Sequence, residues 1–419
     1  MSKGSKGQSV CIVGLGYIGL PTAALLAKNG FNVLGVDVNA SVVESIRKGQ
    51  AHIFEPMLDE LVMEGVKSGR LRTSLMPDIA DIFILAVPTP FKAGHVPDLM
   101  YVETAVRSIA SSLRPGNLVI LESTCPVGTT ELVQKWLLDE RATRSLKSFT
   151  YPDQIYLAHC PERVLPGQIL KELVENDRIV GGINSESTQI AIDFYRTFVG
   201  GQILSTDSRT AELAKLAENT FRDINIAYAN ELSMVCDKLK IDVWDLIRLA
   251  NHHPRVNILQ PGPGVGGHCI AVDPWFIVDS APEESRLIRT AREVNLKKTA
   301  NVIEVVCKEA SQFDHPVIVC LGLAYKADID DLRESPAVDI VYELGAANVG
   351  KVIVVEPHID VLPRKLLEVD VELALQEEAL AMADIILCLV NHSSFDAISM
   401  QTLRGKRVID TRGQWRLNG

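Results

Sequence analysis

One cysteine of this chain sits where backbone can press it closely against a ligand. Cys269 closes the stretch Gln260-Pro261-Gly262-Pro263-Gly264-Val265-Gly266-Gly267-His268-Cys269, which holds too much glycine and proline for helix or strand. A thiolate adds to an aldehyde to give a thiohemiacetal. Loss of a hydride turns that into a thioester, which water hydrolyses, so one site can serve two oxidations. For Cys269 alone, a buried inert thiol remains the other reading. His268 stands next to it, but adjacent residues point apart, which leaves His268 a structural or solvent-facing role.

Lys215, Asn219 and Arg222 are spaced by four and then three in Glu212-Leu-Ala-Lys-Leu-Ala-Glu-Asn-Thr-Phe-Arg222, so one helical face carries all three. With apolar residues between them, that stripe either lines a cleft, where Lys215 would stabilise an alkoxide or oxyanion, or faces water. Cys160-Pro161-Glu162-Arg163-Val164 follows a strand-like run. There Glu162 suits a water and Arg163 a phosphate, against the plainer reading of a structural turn. His253-Pro254-Arg255, Tyr325-Lys326 and Arg333 add cationic groups near turns, fit for a diphosphate or for surface ion pairs.

Gly14-Leu15-Gly16-Tyr17-Ile18-Gly19 follows the apolar run Val10–Val13 and opens a helical pattern. Glycines so placed let a pyrophosphate approach the positive end of a helix. Asp37 closes the next strand, Asn32 to Val36, where a carboxylate accepts from an adenosine ribose and repels the additional phosphate of NADP. NAD is therefore the expected cofactor.

The elements that must hold these residues follow from periodicity. Strand-like runs at 81–87, 118–122 and 155–158 alternate with helical patterns, which predicts a parallel sheet covered on both faces. Helical spacing fills 208–239, 243–250 and 286–310, and a second strand series occupies 316–321, 351–355, 383–390 and 407–410. The expectation is an α/β chain of two Rossmann-like domains with parallel sheets, residues 1–200 and 311–419, joined by a central helical segment, 201–310.

The 419 residues are 47% hydrophobic and 23% charged, enough for several cores. A net charge of −11 argues against a nucleic-acid surface. No stretch approaches the roughly 20 apolar residues of a membrane span, and Met1–Ser9 does not read as a secretory signal, so a cytoplasmic location is expected. The eight cysteines never form a CxxC pair, which signals neither a metal site nor a disulfide framework, and most should be buried.

With these segments assembled, the chain resembles the UDP-glucose/UDP-mannuronate dehydrogenase family from the Gly14 loop to Asp410-Thr-Arg412-Gly413. The segments His253 to Phe276, Cys160 to Gln168 and Asp330 to Ala337 carry the closest likeness. The resemblance implies NAD-dependent, two-step oxidation of the C6 hydroxyl of a UDP-sugar to a carboxylate, with UDP-N-acetyl-D-mannosamine as substrate and surface polysaccharide as destination. It assigns Cys269 as nucleophile, Lys215 as acid/base, and Asn219 and Asp273 as the residues that position water or an oxyanion. It places Arg163, Val164, Lys215, Asn219, Arg222, His253, Arg255, Gly266, Tyr325, Lys326 and Arg412 on the UDP-sugar. Tyr17, Ile18, Asp37, Thr89, Thr124 and Arg333 fall on NAD. A homodimer is implied, with Arg255 reaching across from the partner. Cys125, beside Thr124, has no role in this scheme.

Overall fold

The computed structural model describes residues 7–144, 155–165, 167–267 and 269–415. The first residues of the N-terminal segment, and His268, lie outside these. The chain divides into two compact units, one running to Ala217 with Trp275–Ala281 added, the other formed by Glu218–Pro274 and Pro282 onward.

The first unit is built on eight strands: β1 (Ser9–Val13), β2 (Asn32–Val36), β3 (Leu71–Ser74), β4 (Ile82–Leu85), β5 (Asn117–Leu121), β6 (Ile155–His159), β7 (Arg178–Gly182) and β8 (Ile203–Asp207). Their order is β3-β2-β1-β4-β5-β6-β7-β8. Alternate side chains of β1 feed opposite cores: Val10 and Ile12 one face, Cys11 and Val13 the other. This two-sided burial is why these strands are continuous apolar runs. Strands β1 to β6 are mutually parallel, so the loops after β1, β4, β5 and β6 leave the same edge. The expected all-parallel pattern fails at one step. β7 is antiparallel to β6, and β8 is then parallel to β7. The one helix in the connection between them, Ile169–Glu175, has seven residues.

The second unit holds β9 (Val317–Leu321), β10 (Lys351–Val355), β11 (Val371–Leu373), β12 (Ile385–Cys388) and β13 (Arg407–Asp410) in the order β11-β10-β9-β12-β13, all parallel. It also contains the helices Val243–Ala250 and Arg286–Ala310. The helix Ser208–Leu239 begins in the first unit and continues into the second. Four strands had no sequence signal: β3, β7, β8 and β11, each of which carries at least one partly exposed residue.

Candidate active site

In the first unit the chain reverses its strand order between β1 and β4, the position where open α/β sheets bind ligands. Each glycine of the Gly14 loop has a separate task. Gly14 adopts φ +94°, and a Cβ on it would lie 2.5 Å from the Ala86 carbonyl oxygen. A Cβ on Gly19 would lie 1.8 Å from the Gly14 oxygen, whereas a Cβ on Gly16 would meet nothing within 4 Å and would fill the open cradle itself. The helix Gly19–Lys28 has no side-chain cap and no acid in its first turn, so its positive end is left for an anion. Asp37 spans the crevice floor, its two oxygens accepting from Leu15 N (2.9 Å) and Asn39 N (2.9 Å). Tyr17 is exposed and Ile18 half-buried on the loop. These residues fit a dinucleotide: an open backbone cradle for the pyrophosphate, and a fixed carboxylate one strand away for a ribose.

On the same edge the Thr89 hydroxyl donates to the Thr124 carbonyl at 2.6 Å, which joins the loops after β4 and β5. The next residue, Cys125, is buried with its sulfur 3.9 Å from Glu212 Oε1. Sequence spacing gave no hint of Glu212. It lies on the first turns of Ser208–Leu239, yet accepts from Gly128 N (2.6 Å), Thr130 N (2.7 Å) and Thr130 Oγ1 (2.6 Å) at the head of the helix Thr129–Thr143. Cys125, His159 and Glu212 come within 4.8 Å of one another, with the carboxylate already occupied by those donors. Beyond β6, Glu162 accepts from Arg163 N (2.7 Å) and forms a buried pair with Arg178 (2.7 Å). Arg163 donates to the Asp177 carbonyl, and Val164 packs on the sheet core. Lys215 is buried, and among the described residues its ammonium meets no hydrogen-bond acceptor.

The second unit brings together three of the residues expected to do chemistry. Cys269 is exposed and begins the turn whose carbonyl accepts from Val272 N (3.0 Å) and Asp273 N (2.9 Å). Asp273 is buried, and Asn219 donates to its carboxylate at 2.6 Å. A carboxylate and an amide therefore stand one short turn from the thiol, joined in a pair that fixes both side chains.

A buried network that spacing did not reveal holds the start of the glycine stretch. Asn230 Oδ1 accepts from Gly262 N (2.9 Å), its amide donates to Asn295 (2.9 Å), and Asn295 donates to Asp223 (2.8 Å), which is paired with Arg292 (2.7 Å). Burial pushes the Asp223 carboxyl up, and the Arg292 guanidinium works against that shift. The glycines are again steric. A Cβ on Gly266 would lie 2.6 Å from the Glu334 oxygen, and one on Gly267, at φ +81°, would lie 3.0 Å from the Tyr325 ring. One on Gly262 would lie 2.5 Å from Arg412 Nη1. Gly266, Tyr325 and Arg412, expected on the UDP-sugar, thus line the same stretch. Burial lowers the Arg412 pKa.

The remaining cations divide into two kinds. Arg333, expected on NAD, forks onto Asp331 at 2.9 Å and 2.6 Å. Arg222, Arg255 and Lys326 are exposed and meet no carboxylate among the described residues, which leaves them available to an anion in an acidic chain. His253 is exposed, and its Nδ1 accepts from Arg255 N at 3.3 Å. No helix among the described residues is long and apolar enough to cross a membrane.

Residues 8–199 match the NAD binding domain of the UDP-glucose/GDP-mannose dehydrogenase family, 209–297 its central domain and 319–416 its UDP binding domain. A Ralstonia nicotianae protein named NDP-N-acetyl-D-galactosaminuronic acid dehydrogenase is 54% identical, with 97% of this chain and 96% of that one covered. A Campylobacter jejuni UDP-N-acetyl-D-mannosamine dehydrogenase is 55% identical over 93% of this chain and 96% of its own. The solved Staphylococcus aureus UDP-N-acetyl-mannosamine dehydrogenase Cap5O superposes with a TM-score of 0.86 at 42% identity, covering 97% of this chain and 96% of that one. The chain belongs to the UDP-glucose/GDP-mannose dehydrogenase family and is an NAD-dependent UDP-sugar dehydrogenase.

Proposed function

We propose that the enzyme oxidises the C6 hydroxyl of UDP-N-acetyl-D-mannosamine to the carboxylate in two steps at one site, with Cys269 as nucleophile, for surface polysaccharide synthesis in the cytoplasm. The observation that carries this reading is an exposed thiol one turn from a fixed Asn219–Asp273 pair. Gly14, Gly16, Tyr17, Ile18, Gly19, Asp37, Thr89, Thr124 and Arg333 would hold NAD, which would take one hydride from C6 in each oxidation, a fresh NAD replacing NADH between the two. Lys215 takes the hydroxyl proton as the C6–H bond breaks and the aldehyde forms. The Cys269 thiolate then adds to that carbonyl carbon, and Lys215 returns a proton to the oxygen. Loss of the second C6 hydride, with the proton back on Lys215, leaves a thioester. Water held by Asp273, Asn219 and Glu162 attacks its carbon, the C–S bond breaks to return the Cys269 thiolate, the two water protons pass to solvent, and the carboxylate leaves.

The cations Arg163, Arg222, Arg255, Lys326 and Arg412, with His253, Val164, Gly266 and Tyr325, hold the UDP-sugar. Arg255 comes from a partner subunit. An apolar stripe supports a homodimer: Phe221, Tyr228 and Val235 recur every seventh residue on one helix and are 71%, 52% and 45% exposed. We place the domain boundaries at 1–200, 201–310 and 311–419.

The names of the C. jejuni and S. aureus relatives support the manno sugar, while the R. nicotianae relative favours a galacto sugar as the second reading. NADH formed per mole of sugar decides both points, with the manno, gluco and galacto UDP-N-acetylhexosamines and UDP-glucose run in parallel. Two NADH on the manno sugar alone is the expected result, and Cys269→Ala should make no uronate. One NADH removes the thioester step, and turnover confined to the galacto sugar replaces the substrate.

A further inference from the structure

Lys215 has to meet the substrate hydroxyl at a fixed place relative to the hydride acceptor, and the helix that carries it begins only seven residues earlier, at Ser208. What holds that helix start against the loops after β4 and β5 is a carboxylate. Glu212 is one helical turn before Lys215, on the same side, and is 1% exposed. Its Oε2 accepts from Gly128 N, and its Oε1 from Thr130 N and Oγ1.

The helix Thr129–Thr143 has Gly128 at its N-cap and no side-chain cap of its own. Glu212 caps it from 84 residues away, with negative charge at its positive end. The same loop contains Thr124, whose carbonyl takes the Thr89 hydroxyl, and Cys125, whose thiol lies against Glu212. A second strut runs alongside: Arg209, one turn before Glu212, forks onto Glu131 with both contacts at 2.7 Å. The first turn of one helix is thus clamped to the first turn of the other. Lys215 and the threonines are separate in sequence, and this clamp ties the helix that carries the one to the loop that carries the others within the first unit.

We infer that Glu212 is a positioning residue for the oxidation, setting Lys215 against the Thr89–Thr124 loops, with Thr130 and Cys125 as its partners. The inference rests on the role proposed for Lys215. It also gives Cys125 its function: a small buried thiol that fits beside the carboxylate without competing with the stronger donors.

Glu212→Gln tests it with almost no change of shape. Either orientation of the amide turns an NH2 toward an N–H donor, so Gly128 or Thr130 loses its acceptor. The turnover number should fall on the order of tenfold to a hundredfold, while the KM for the UDP-sugar changes less than about twofold. The primary isotope effect on kcat with C6-deuterated sugar should rise, because hydride transfer becomes slower relative to product release. Hydrogen exchange at the Gly128 and Thr130 amides should accelerate.

Thr130→Val and Thr130→Ser decide the matter if Glu212→Gln does not fold. The valine removes one of the three strong donors and should lower kcat severalfold, and the serine should restore it. A folded Glu212→Gln enzyme with kcat within about twofold of wild type overturns the inference. So do valine and serine variants with the same kcat. Lys215→Met, run beside them, separates the two levels. If that variant remains active, the role of Lys215 falls, whereas the amide-exchange result still reports on the clamp.

Discussion

Among the described residues both ring nitrogens of His159 are buried without a hydrogen-bond partner, and burial lowers its pKa from the ordinary 6.5 to about 3, against a smaller opposing effect of the Leu121 backbone. The folded imidazole therefore stays neutral, whereas the unfolded one takes a proton near pH 6.5. Between those two values the unfolded chain binds more protons, so this residue's contribution to stability is lost as pH falls through that window. His159→Leu should flatten that acid limb by up to about 1.4 kcal/mol per pH unit, read as urea unfolding free energies at a series of pH values. At neutral pH the variant should be no less stable, since no hydrogen bond is forfeited. A limb as steep as wild type would assign the acid sensitivity to other groups. At this scale the sequence was only partly legible. The glycine stretch marked Cys269 and helical spacing linked Lys215 to Asn219, but Asp273 came from family resemblance alone. Glu212 could not be found by spacing, because its partners lie 82 and 84 residues away.

Among the elements, buried parallel strands were readable because two-sided burial demands unbroken runs of Val, Ile and Leu, as in β1, β5, β9 and β10. Strands such as Leu71–Ser74 and Ile203–Asp207 at the sheet edges bury one face at most and show no such run. The helix Arg286–Ala310 was readable from its spacing, but its reason for carrying buried Arg292 and Asn295 was not. Those side chains reach Asp223 and, through Asn230, the backbone of Gly262. Arg292→Met strands the Asp223 carboxylate in the interior, at an expected cost of about 3–5 kcal/mol. Since burial already raises that carboxyl, the loss should shrink as pH falls through its folded pKa and the group becomes neutral. Adding Asp223→Asn should recover part of the stability. A single variant as stable as wild type in urea titrations would mean that the pair contributes nothing net.

For the whole molecule, two sheets share one plan. The orders β3-β2-β1-β4-β5 and β11-β10-β9-β12-β13 correspond strand for strand. Each also braces its first loop with an acid at the end of the neighbouring strand: Asp37 on Leu15 N at 2.9 Å, and Glu356 on Leu323 N at 2.6 Å. The sequence showed both series, although not the reversal at β7. The seven-residue stripe of Phe221, Tyr228 and Val235 belongs to this scale as well. Tyr228→Glu should convert the expected dimer to monomer in sedimentation velocity and abolish turnover, because Arg255 is then missing from each site. A fully active monomer would dismiss both the dimer and the shared arginine.

The cysteine distribution has a practical outcome for reagents. Cys269 alone is exposed, and burial pushes the thiols of Cys11, Cys160 and Cys320 up to about 12 and raises those of Cys236, Cys307 and Cys388. Toward a soft electrophile such as iodoacetamide, the native protein is close to monovalent. With Cys269 as the proposed nucleophile, one equivalent of alkylation should silence the enzyme before the buried thiols react, so a covalent inhibitor aimed at this chain needs selectivity between proteins more than between its own thiols.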